Sequence, residues 1–223
     1  MDWIQESVKR SNKLKDHYKM QEIDIFIKDQ LPSHIDPDLV FSTFSKLIPS
    51  HLLTGVDIIY VGEFDVFKEK KVNAVFQDGA IYVSNEQDSN QDMIDDIIHE
   101  LAHSVEEKFP QYIYSENDLK NEFVGKRKRL YDILLNYDYD PSPKLKTVYH
   151  YDEKIDMYLY KDVGYEAMWN LINGLFPSPY SVTSLREYFA IGFEYYFMGE
   201  KNTIKKLCPV LYSKLENLEY MEK

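Results

Sequence analysis

Between Asp92 and about Lys108 the apolar residues Ile94, Ile97, Ile98, Leu101, Ala102 and Val105 recur at spacings of three and four. That rhythm marks a helix that buries one stripe against a core, and a core-forming helix of this length fixes much of the architecture around it. Asp88, Ser89 and Asn90 stand just ahead of it, where their side chains can accept hydrogen bonds from the unpaired amides of a first turn. Away from the apolar stripe the same helix carries His99-Glu100-Leu101-Ala102-His103. At about 100° per residue the two imidazoles fall about 40° apart and one turn from each other, so one ion can be reached by both. Glu100 points about 60° from His103 around the axis, near enough to hold a water at that ion without ligating it.

This is the H-E-x-x-H arrangement, in which two neutral imidazoles bind zinc and the intervening carboxylate acts as a general base. The competing reading is a solvated helix face, because Asp92, Asp96, Glu106 and Glu107 share roughly that side. Two histidines and a water leave a tetrahedral zinc one protein ligand short. The residues that follow Ala102, His103-Ser104-Val105-Glu106-Glu107-Lys108-Phe109, bring no further histidine, which excludes the three-histidine metzincin pattern. A carboxylate on another helix is the remaining common solution. The segment from Thr183 to Phe197 is apolar almost all round and is expected to be a buried helix. It holds Glu187 and Glu194, which lie on one face. Spacing alone does not choose between them, and both could instead reach solvent or a lysine.

The rest of the chain predicts an α+β fold. A polar helix is expected over Asp2–Tyr18, a strand over Ile23–Ile27, and a helix opened by Asp36-Pro37 and running to about Leu47. Val56–Val61 reads as a buried strand. Val75-Phe76 and Ala80–Val83 flank Gln77-Asp78-Gly79, and Asp-Gly supplies the positive φ that a tight hairpin needs. A helix over residues 115–136, a tyrosine-rich connector over 137–162, and helices over Gly164–Leu175 and toward the C-terminus follow, the last interrupted at Cys208-Pro209. The expected architecture is a small mixed sheet packed on the motif helix, with a mainly helical C-terminal part. Ala80, Ile81 and Tyr82 are expected on an edge strand that pairs with an extended peptide substrate, because strand addition aligns a backbone without demanding particular side chains.

Composition removes several functions. The 223 residues carry a net charge of −12, with a pI near 5.0, which repels nucleic acid and anionic membrane. No stretch reaches the roughly 18 apolar residues of a membrane span. Cys208 is the single cysteine; it can form no intrachain disulfide and reads as a buried thiol. The opening Met1-Asp2-Trp3-Ile4-Gln5-Glu6-Ser7 lacks the basic-then-apolar order of a signal peptide. The expectation is a cytoplasmic location, with a secreted or translocated effector as the other reading. Lys126-Arg127-Lys128-Arg129 is the basic run of the chain and reads as a solvated helix end. Dinucleotide, P-loop and serine-hydrolase signatures do not occur.

Ser184-Leu185-Arg186-Glu187-Tyr188-Phe189-Ala190-Ile191-Gly192-Phe193-Glu194-Tyr195-Tyr196-Phe197 resembles the E-[FY]-F-A-E-x-F helix of the lethal factor-like zinc metalloprotease domains, a family that includes the clostridial Pro-Pro endopeptidase. The resemblance extends through Lys206-Leu207-Cys208-Pro209 with Tyr212, Leu215 and Leu218, and covers about residues 56–108 and 178–220. It implies that residues 56–223 form the metallopeptidase domain, with a helical insertion at about 110–178, and that residues 1–55 are either an N-terminal extension or the start of that domain.

By that resemblance Glu187 is the third zinc ligand beside His99 and His103. Tyr180, seven residues ahead of it, faces the metal and donates to the oxyanion. The implied activity is that of a gluzincin, a zinc (Zn2+) endopeptidase acting on a peptide or protein, with Glu100 as general base. One departure stands out: the family's second glutamate, four residues after the ligand, is Ile191 here. Support for the metal site then falls to another group such as Asp96 or Glu194. The alternative function is a non-catalytic binding module of the same fold, as occurs within lethal factor itself.

Overall fold

The computed structural model describes residues 16–70 and 72–221. They fall into two compact units, one ending at Lys108 and one beginning at Phe109.

In chain order the first unit contains β1 (Asp16–Met20), β2 (Ile23–Ile27), α1 (Pro37–Leu47), β3 (Ile58–Val61), α2 (Asp65–Lys70), β4 (Ala74–Gln77), β5 (Ala80–Val83) and α3 (Asn90–Lys108). The strands form one mixed sheet in the order β1-β2-β3-β5-β4. β2, β3 and β5 run parallel, and β1 and β4 are antiparallel flanks. Side chains alternate along each strand. Ile23, Ile25, Ile27, Ile59, Val61, Ile81 and Val83 are buried, while Phe26, Tyr60 and Tyr82 stack on one another with ring centroids 6.0 and 5.3 Å apart. α3 packs on β4 and β5 and against α1.

Asp78 and Gly79 both take positive φ, 51° and 78°. This is the backbone hand that a two-residue hairpin requires, and it joins β4 to β5 as expected. β5, however, is not an edge strand. It pairs with β3 on one side and β4 on the other, so Ala80, Ile81 and Tyr82 have no backbone edge to offer a peptide; β4 holds the edge. Residues 16–55 supply two strands of the same sheet. The helix expected over Asp2–Tyr18 lies outside the described residues up to Lys15, and its last positions, Asp16–Tyr18, are strand.

The second unit contains α4 (Pro110–Tyr114), α5 (Asp118–Asn136), α6 (Glu153–Met157), α7 (Tyr165–Leu171), α8 (Leu185–Phe197), α9 (Lys201–Leu207) and α10 (Pro209–Glu219). The connector expected over 137–162 is not plain coil. It carries a 3₁₀ turn at Pro143–Lys146, α6, and a π-helical segment at Tyr158–Val163. α8 is buried on nearly every side, as its composition predicts. Glu122 of α5 accepts from the Tyr188 hydroxyl at 2.9 Å and from the amides of Val210 and Leu211 at 2.9 and 3.2 Å, so one carboxylate ties α8 to α5 and satisfies amides that the start of α10 leaves without intrahelical partners. Cys208 is buried, and burial pushes its thiol up to about 11. Among the described residues no helix is long and apolar enough to cross a membrane.

The basic run is half buried. Lys126 donates to the carbonyls of Leu175 and Leu207 at 2.7 and 2.6 Å, and Arg127 is fully buried. Four consecutive residues sweep around a whole helical turn, so two of them fall on the α5 face that Leu119, Phe123, Leu130 and Leu134 bury. A solvated helix end describes only Lys128 and Arg129, which are exposed.

Gly192 sets how closely α8 and α10 approach: a Cβ there would lie 2.2 Å from Leu211 Cδ2 and 3.0 Å from its Cγ. Leu211 is itself fully buried and has nowhere to swing. Gly192→Ala is therefore expected to destabilise the protein by about 1–3 kcal/mol despite alanine's better helix propensity, measurable as a lower urea midpoint at unchanged slope.

Candidate metal centre

The motif helix begins on a reciprocal cap. The Ser89 hydroxyl accepts from the Asp92 amide at 3.1 Å and donates to the Asp92 carboxylate at 2.9 Å, satisfying groups that an unpaired helix start leaves open. Gln87 donates to Asp96 at 3.0 Å and its carbonyl pairs with His34 Nε2 at 3.0 Å, pinning the same turn. Met93, Ile94, Ile97, Ile98, Leu101, Ala102 and Val105 are buried. With the apolar stripe locked on the sheet, the rotation of α3 about its own axis is fixed, and so are the directions of His99 and His103.

The two imidazoles meet edge to face, with ring centroids 5.1 Å apart and planes at 86°. His103 is buried and His99 half-buried. Glu187 stands in the first turn of α8, whose cap is Ser184: the Ser184 hydroxyl accepts from the Glu187 amide at 3.1 Å. His99, His103 and Glu187 each bring one ligand atom into a cluster in which all three lie within 4.8 Å of one another. Bonds of about 2.0–2.1 Å in a tetrahedron set neighbouring donors about 3.4 Å apart, so a small closure of these side chains would seat one ion. Two imidazoles and a carboxylate are also the donor set that suits zinc. Among the described residues this is the one such group. Glu194, which spacing left level with Glu187, is not part of it.

Glu100 does not join the cluster. Its Oε2 accepts from the backbone amide of Phe76 at 2.6 Å, which anchors the carboxylate to the edge strand β4 and limits its rotations. Tyr180 opens a short 3₁₀ turn, Tyr180–Val182, and is 39% exposed. Its carbonyl accepts from the amide and hydroxyl of Thr183 at 3.0 and 2.8 Å, fixing its backbone just ahead of α8.

One supporting residue escapes the sequence reading. Glu106 Oε2 lies 3.6 Å from His103 Nδ1, an ion-pair distance, with both side chains largely shielded from solvent. At 3.6 Å the pair is electrostatic, longer than a hydrogen bond, and a carboxylate beside a ring in this way supports its orientation toward a metal. The sequence signal is its position three residues after His103, which a helix brings alongside, and the acidic neighbours Asp92, Asp96 and Glu107 mask it. Asp96 is engaged by Gln87, and Ile191 is buried. Glu106→Gln is expected to weaken zinc binding about 10- to 100-fold without unfolding the protein, checked by competition against a chromogenic chelator.

No protein-family profile, curated protein or solved structure matches the chain, so the chemistry of the centre rests on its own side chains.

Proposed function

We propose that the chain is a zinc-dependent endopeptidase of the gluzincin type, similar to the lethal factor-like metalloproteases. The observation that carries this reading is the His99, His103 and Glu187 cluster, with ligand atoms within 4.8 Å of one another, whose two histidines stand on a helix that also presents Glu100. Zinc held by these residues would lower the pKa of a bound water to about 7 and polarise a scissile carbonyl.

The remaining work falls to the chain's own groups. His99 and His103 would bind through one ring nitrogen each, with the Glu106 carboxylate 3.6 Å from His103 Nδ1 as an electrostatic support for that ring. Glu100 accepts the proton of the attacking water on its carboxylate and returns it to the leaving amine. The Phe76 amide at 2.6 Å holds that carboxylate in place before substrate arrives. Tyr180 donates a hydrogen bond from its phenol to the developing oxyanion, a contribution of about 3 kcal/mol for such donors. The substrate is an extended peptide or protein segment laid along β4, an edge strand of the described sheet, whose outward backbone groups other than the Phe76 amide held by Glu100 can pair with it.

A digest of an unbiased peptide library tests this. Cleavage by the wild type, its loss with a zinc chelator and its return with added zinc are expected. A folded protein that holds zinc and cuts nothing would instead favour the binding module.

A further inference from the structure

Glu187 owes its place to the start of α8, and the start of α8 is held from elsewhere in the second unit. The Leu185 amide donates to the Tyr149 carbonyl at 2.7 Å, one of the bonds an unpaired helix start needs. Tyr149 belongs to the irregular stretch between the 3₁₀ turn and α6, which has no ladder of its own. Three cations tie that stretch and the turn before it to α5. From α5, Arg127 Nη1 donates to the Val148 carbonyl and the Lys120 ammonium sits 3.9 Å from the centre of the Tyr149 ring; from the 3₁₀ turn, Lys146 sits 3.9 Å from the centre of the Tyr131 ring of α5.

Arg127 is the costly member. It is fully buried, and its Nε and Nη2 find no hydrogen-bond partner. The Phe123 ring lies 5.3 Å away, and burial pushes the guanidinium down to about 10, against the nearby Asp152 charge. Burying a charge with part of its donor set unpaired is destabilising, and a leucine or methionine would fill the same core space without that penalty. What the guanidinium adds is a fixed carbonyl at Val148, next to the carbonyl that receives the α8 amide.

We infer that Arg127 is a positioning residue for the third metal ligand: through Val148 and Tyr149 it fixes the first turn of α8, and thereby the Glu187 carboxylate. The inference rests on the metal-site reading above and gives the helical stretch expected as an insertion a definite task.

The test uses the full chain with Arg127→Met, Arg127→Lys, Leu185→Pro and Leu134→Ala, reading zinc affinity by chelator competition and, in zinc-free protein, hydrogen exchange of the amides at 185–189. Proline suits Leu185, the first helical position, because Ser184 ahead of it is extended at φ −154° and ψ 164°. The substitution removes the bond to Tyr149 and leaves Arg127 in place. Arg127→Met and Leu185→Pro should each weaken zinc binding about 10- to 100-fold, the range for groups that orient a ligand. Combining them should add little, since both cut one chain of contacts. Arg127→Met should also speed exchange at 185–189, and Arg127→Lys should restore part of both losses. Leu134→Ala, which creates a void on the same helix away from Arg127, should lower thermal stability and leave zinc affinity unchanged.

Wild-type zinc affinity in both Leu185→Pro and Arg127→Met, or a loss in Leu134→Ala equal to theirs, would overturn the inference. If the wild type itself bound no zinc, the metal-site reading would fail first. Exchange at 185–189 would still decide whether Arg127 holds the helix start.

Discussion

Replacing Glu100 with alanine is expected to lower kcat/KM for peptide cleavage by about 10²- to 10⁴-fold, the usual contribution of a positioned general acid–base. Zinc content should not change, because Glu100 is not among the three clustered donors. The substitution also strips the Phe76 amide of its acceptor at 2.6 Å, at a cost of about 1 kcal/mol in stability for one lost hydrogen bond. A fall in kcat with substrate affinity nearly kept would mark an interaction used in the transition state. Glu100→Gln separates the two roles: it keeps the carbonyl acceptor for Phe76 but cannot take a proton. Its stability should therefore return toward wild type while its activity stays at the alanine level. Activity within a few-fold of wild type in both variants would remove Glu100 from the chemistry.

Glu187→Ala should cost more than 100-fold in zinc affinity, since even a group that merely orients a ligand is worth about 10- to 100-fold. The helix itself should survive, because the Ser184 cap acts through the residue 187 amide at 3.1 Å, which alanine keeps. Thermal unfolding gives an independent check. Free zinc at about 100 times its dissociation constant stabilises a one-site protein by about 2.7 kcal/mol, so added zinc should raise the wild-type melting temperature and leave that of Glu187→Ala where it was. Glu194→Ala serves as the matched control and should bind zinc like the wild type. An equal loss in both would mean that a diffuse acidic face, rather than a defined ligand, was being measured.

Most of the α+β architecture could be read from periodicity. The stripe from Ile94 to Val105 predicts α3, and Asp78-Gly79 predicts the β4–β5 turn, because both signals are local. What escaped was non-local. A hairpin shows that β4 and β5 pair, but not that β3 adds on the far side of β5, and so Ala80–Tyr82 were misassigned to an edge. A run of four cations shows charge, but not that two of them point into a core and end on backbone carbonyls. In the centre, His99 and His103 follow from helical spacing within one element. Glu187 and Glu194 share a helix face, and only the packed chain separates them. The contacts of Glu106 with His103 and of Phe76 with Glu100 were equally hidden. The first was masked by an acidic neighbourhood, and the second depends on a backbone amide that carries no sequence signal.

The most direct measurement is X-ray absorption at the zinc edge on wild-type protein loaded with one equivalent of zinc. The account predicts a four-coordinate spectrum with two imidazoles and oxygen donors at about 2.0–2.1 Å, changing in its oxygen shell in Glu187→Ala. Zinc that fails to bind at one equivalent, or binds without imidazole scattering, would contradict it.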